Sequence, residues 1–135
     1  MRIPFVATLL LAAGCLTSGD DRLSVQINFQ IIDPPATPVA PTIAVTGSLV
    51  QVQHHFPTPS PCYVFGTGAT QSGSTIEMEL RITLDQSSGC TGSATEWSYN
   101  ALINGAKPGA TRIGITIDGP SGQNRQEYAL PNPTS

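Results

Sequence analysis

The stretch IEMELRITLD, residues 76–85, decides the fold class. Ile76, Met78, Leu80, Ile82 and Leu84 share one parity; Glu77, Glu79, Arg81, Thr83 and Asp85 share the other. A strand turns successive side chains to opposite faces, so this alternation predicts a β-strand with one buried and one solvated face. LSVQINFQI (23–31) repeats the pattern, with Leu23, Val25, Ile27, Phe29 and Ile31 set against Ser24, Gln26, Asn28 and Gln30. In TIAVTGSLVQVQHHF (42–56) the apolar parity changes around Gly47, which predicts a bulge or turn at 46–48 between two strands.

Outward from these runs the same period recurs. Tyr63-Val64-Phe65 opens a strand that GTGATQSGS is expected to end, and Trp97, Tyr99 and Ala101 give a shorter alternation. TRIGITID and QNRQEYAL flank GPSG, which predicts a hairpin. DPPATPVAP (33–41) and QSSGCTGSAT (86–95) are crossing segments, since proline gives no amide hydrogen to a ladder and the second is loop by composition. No window of eleven residues in 23–135 carries an apolar period of 3.6. The 135 residues include 13 glycines and 12 prolines without collagen-like spacing, too many for a helical bundle. The prediction is one all-β domain over 23–135: an antiparallel sandwich or barrel of seven to eight strands. LINGAKPGATRIGITIDG (102–119) is similar to the penultimate strand region of bacterial immunoglobulin-like modules, and the resemblance implies an immunoglobulin-like β-sandwich.

The first residues read as an address. Met1-Arg2 supplies one positive charge, and the apolar run Ile3–Ala13 is too short to span a bilayer, which needs about 20 residues. It reads as an export signal over residues 1–14. Leu11-Ala12-Ala13-Gly14-Cys15 resembles the lipobox of bacterial lipoproteins. That resemblance implies a lipid on Cys15, a tether over 15–22, and an exported protein anchored to the cell envelope. In a diderm host Leu16 implies the outer membrane. Without lipidation, cleavage before Cys15 leaves a secreted or periplasmic protein.

Three cysteines leave an odd thiol in an exported chain. With Cys15 lipidated, Cys62 and Cys90 remain as a pair that an oxidising compartment would join. Closing that ring is worth about 3.5 kcal/mol in the chain-entropy model.

Chemistry is thinly signalled. His54 and His55 adjoin in HHFPTPSPCYVF (54–65), but neighbours on a strand point to opposite faces, and a zinc site needs three or four converging ligands. They are the only metal candidates, and they read as a packed residue and a solvated one. Glu77 and Glu79 stand roughly 6.8 Å apart along one strand, beside Arg81 and Asp85 on a solvated face rather than flanking a cleft. Trp97 and Tyr99 share a face and are the candidate ligand-binding aromatics, with core packing as the commoner role. The net charge is −3, with one lysine and five scattered arginines, which excludes a nucleic-acid surface. No catalytic set and no cofactor motif emerges. The expectation is a lipid-anchored, non-enzymatic binding or structural module, whose protein or glycan partner the sequence does not name. The alternative is a metal-handling or hydrolytic periplasmic protein that uses His54, His55 and nearby acids.

Overall fold

The computed structural model describes residues 21–85 and 89–132. Eight strands follow one another: β1 (Arg22–Ile32), β2 (Thr42–Thr46), β3 (Leu49–Thr58), β4 (Tyr63–Ser72), β5 (Thr75–Leu84), β6 (Thr95–Asn104), β7 (Arg112–Gly119) and β8 (Gly122–Ala129). They form one mixed sheet in the order β2-β3-β6-β1-β4-β5-β7-β8, curled into a half-barrel. Residues 1–20, on which the expected signal peptide, the lipidation of Cys15 and most of the expected tether fall, lie outside the described residues, as do 86–88 and 133–135.

β1 is the hinge of the sheet. Only Arg22 and Leu23 pair with β4, whereas Ser24 to Ile32 pair with β6. Beyond Leu23 the sheet therefore splits into two halves, β2-β3-β6-β1 and β4-β5-β7-β8, which face each other. The split is filled by side chains: the Phe29 ring of β1 stacks on Phe65 of β4 with centroids 4.3 Å apart. Phe56 and Trp97 meet the same Phe65 edge-on, at 5.5 and 4.9 Å. Below this aromatic layer Val50, Val52, Ile76, Met78, Leu80, Ile103 and Ile113 are fully buried. The alternation in 76–85 thus does what its parity demands, except that Leu84 at the strand end is exposed.

The expectation of an antiparallel arrangement is corrected at one of the pairings among the described strands. β5 and β7 run parallel, with Ile76 opposite Ile113 and Leu80 opposite Ile117. The reason is the path of the chain. After β5 it crosses to the other half, runs back as β6, and returns to lie beside β5 from the pole where β5 began. Strand β4 also outruns the sequence reading. Gly66 and Gly68 stay in the ladder opposite Arg81 and Glu79, and the chain turns only at Gly73, which takes φ +61°. Gly47, at φ +58°, makes the change at 46–48 a turn between β2 and β3.

The loops divide between two poles. One pole holds Arg22, the β4–β5 turn and the loop 105–111. The other holds the segments 33–41, 59–62 and 89–94, with the Pro120–Ser121 turn. At this second pole Cys62 and Cys90 form a disulfide, with Cα atoms 5.8 Å apart. At the first, buried Gln71 holds the loop: its amide nitrogen donates to the carbonyls of Gly73 and Lys107, and its oxygen accepts from the Lys107 amide at 2.7 Å.

Candidate functional site

β3 and β6 lie side by side with His54 opposite Tyr99, His55 opposite Ser98 and Phe56 opposite Trp97. Alternation sends His54 to the inner face, with Val52 and Phe56, and His55 to the outer. The two rings are 5.0 Å apart, but each has a different partner. His54 Nε2 donates to the Val39 carbonyl at 2.8 Å, tying down the crossing segment 33–41. His55 Nδ1 donates to the Glu96 carboxylate at 2.6 Å. A carbonyl and a carboxylate accept, so Nε2 of His54 and Nδ1 of His55 each bring the hydrogen to their bond.

The His55–Glu96 pair is largely sheltered, its side chains 20% and 10% exposed. The far nitrogen, His55 Nε2, is buried and has no partner. A carboxylate that orients an imidazole is half of an acid–base device. The other half would be a nucleophile, and Ser98 faces His55 across the ladder without bonding to that nitrogen. Glu96 was not singled out from the sequence. Its signal was the parity of TEWSYN, which sets Glu96, Ser98 and Asn100 against Trp97 and Tyr99. Among the described residues, no three His, Cys, Asp or Glu side chains come together to hold a metal ion.

The structure turns both candidate aromatics inward. Trp97 packs on Phe65, and its Nε1 donates to Thr58 Oγ1 at 2.9 Å. Tyr99 is 2% exposed, with its hydroxyl buried and unpartnered. Burial pushes the ionisation of that hydroxyl up, and neighbouring Tyr128 adds to the effect.

The outer face that His55 shares is made of amides and hydroxyls. Asn28 and Gln53 flank Asn100 in one row; Gln30 and His55 flank Ser98 in the next. Gln51 Nε2 donates to Asn100 Oδ1 at 3.0 Å. A depression of about 360 Å³ opens here, bounded by Asn28, Gln30, Gln53, His54, Ser98, Tyr99 and Asn100, with no carboxylate, lysine or arginine on its wall.

The outer face of the other half is charged instead. Arg125 grips Glu77 with two bonds, of 3.1 and 2.6 Å, and reaches Glu127 at 2.9 Å. Arg112 also meets Glu127, and Glu79 pairs with Arg81 at 3.2 Å. The Arg125 hydrogen bond holds the Glu127 carboxyl below its ordinary range, with Arg112 helping. Glu77 and Glu79 are thus each engaged by an arginine. Gly114 lies under the Glu77–Arg125 pair, where any Cβ would collide with both. Compared with models of known families, with characterised proteins and with solved structures, the chain finds no match.

Proposed function

We propose that this chain is an exported module, held at a bacterial membrane by a lipid on Cys15, that works by binding rather than by catalysis. The observation that carries the binding reading is the amide and hydroxyl patch of β1, β6 and β3 beside the His55–Glu96 pair, with a depression of about 360 Å³ whose wall carries no carboxylate, lysine or arginine. Amides offer paired donors and acceptors without a fixed charge, which suits a neutral, hydroxyl-rich surface such as a glycan. The signal-like and lipobox-like residues 1–15 support the anchor, and β1 starts at the pole opposite the stapled loops, which suits a tether on that side. In the same reading the two facing halves correspond to the layers of an immunoglobulin-like sandwich.

Binding to a panel of immobilised neutral polysaccharides tests the face. At least one is expected to retain the protein, and Asn28→Ala with Asn100→Ala to release it. No retention across the panel, or retention indifferent to both changes, sinks this reading. The anchor is tested by intact mass: Cys15→Ser is expected to lose the lipid mass and the partition into detergent.

One observation favours a second reading, metal handling or hydrolysis. It is the His55–Glu96 pair with a free Nε2. Zinc or copper that raises the thermal midpoint of the chain, with the rise abolished by His55→Ala, would support it against the first.

A further inference from the structure

We propose that β8 is the dimerisation edge of this protein, pairing antiparallel with β8 of a second copy about a two-fold axis through Gln126. β8 ends the strand order, so among the described residues one side of it has no neighbouring strand. Such an edge offers a row of unpaired N–H and C=O groups, and proteins usually blunt it with charged side chains, lysine above all, or with proline, a bulge or short length. β8 carries two charged side chains, Arg125 and Glu127, which are of opposite sign and already paired with each other. It is eight residues long, holds no proline or lysine, and pairs one-to-one with β7 from Gly119–Gly122 to Arg112–Ala129. The opposite edge, β2, has five residues and follows Pro41.

The direction of the free groups follows from one bond. Leu130 N donates to Thr111 O at 2.8 Å, continuing the β7–β8 ladder by one pair. In an antiparallel ladder the residues that exchange hydrogen bonds alternate, so even-numbered residues of β8 bond to β7. Gln123, Arg125, Glu127 and Ala129 then direct their backbone groups to the open edge.

Two physical conditions select the register. Residues directly opposite must lie on the same face, which leaves only registers centred on a residue, not between two. Centring on Arg125 sets two arginines opposite each other, and centring on Glu127 sets two glutamates opposite, both unfavourable. Centring on Gln126 sets Arg125 opposite Glu127 of the second copy, twice over. It also sets Gln123 opposite Ala129, and Asn124 opposite Tyr128. Within one chain Arg125, Glu77, Glu127 and Arg112 already form a neutral quartet, so the copies meet with alternating charge and no net repulsion. This inference is independent of what the amide face binds.

Sedimentation velocity on the exported chain, in detergent when it carries lipid, tests the pairing. A concentration-dependent dimer is expected. Gln123→Pro removes an outward N–H that β7 does not use, so it is expected to give monomer with the thermal midpoint kept. Arg125→Glu is expected to weaken association at least tenfold, and Arg125→Glu with Glu127→Arg to restore it. If Arg125→Glu prevents folding, Gln123→Pro alone decides. A monomer at several hundred micromolar overturns the proposal, as does a dimer indifferent to Gln123→Pro. Open-ended polymers would also overturn it, since they would mean β8 pairs with β2.

Discussion

Tyr99 gives its ring to the core while its hydroxyl is sealed off without a partner. A buried unpaired hydroxyl forfeits its bonds to water, so Tyr99→Phe is expected to stabilise the fold by about 1 kcal/mol in urea denaturation. The same residue sets an alkaline limit. Its ionisation in the folded chain is raised above the ordinary value of 10.0, so its contribution is complete below that value and lost as pH climbs past it. Wild-type stability is expected to fall above pH 10, and Tyr99→Phe to remove Tyr99's part of that fall. The parity of Tyr99 was legible in the sequence, because Trp97, Tyr99 and Ala101 alternate. The missing partner was not, because it depends on what the opposite half of the sheet places there.

Among the elements, β4 and the loop 105–111 depend on each other through Gln71. Its side chain satisfies both the N–H and the C=O of Lys107, across 36 residues of sequence. Gln71→Ala leaves these groups without their buried partner, and is expected to cost about 1–3 kcal/mol. Amide exchange should show faster opening at Lys107, and exchange unchanged there would mean the latch is not what orders the loop. In the core, Leu80→Ala on β5 is expected to cost about 2–5 kcal/mol in the same denaturation series, since Leu80 is fully enclosed. Strand β5 could be read directly because its period is uninterrupted. Strand β4 past Phe65 could not: GTGATQSGS has turn composition, and only the pairing partner β5 keeps Gly66 and Gly68 extended.

For the whole molecule, the disulfide ties the two halves together. Cys62 lies on the crossing from β3 to β4, and Cys90 on the crossing from β5 to β6. Each crossing passes from one half of the sheet to the other, so the bond fastens two passages between halves. Reduction is expected to lower stability by about 3.5 kcal/mol, read as the difference between denaturation with and without reductant. An unchanged midpoint would show that the crossings hold without it. The β8 pairing has a consequence at this scale as well. Antiparallel pairing sends the Arg22 ends of the two copies to opposite poles; with the proposed lipid on each Cys15, such a pair would lie with its strands along one membrane or join two.

What the sequence determined by itself was local and periodic: strands with buried and solvated faces, and turns at glycine and proline; the expected Cys62–Cys90 bond is also present. The strands and turns follow from side-chain alternation and backbone chemistry within ten residues or so. Tertiary structure decided the parallel β5–β7 pairing, the partnership of His55 with Glu96 and the gathering of amides on one face. Each of these depends on which strands become neighbours, and burial of the whole apolar set selects that, not any single segment.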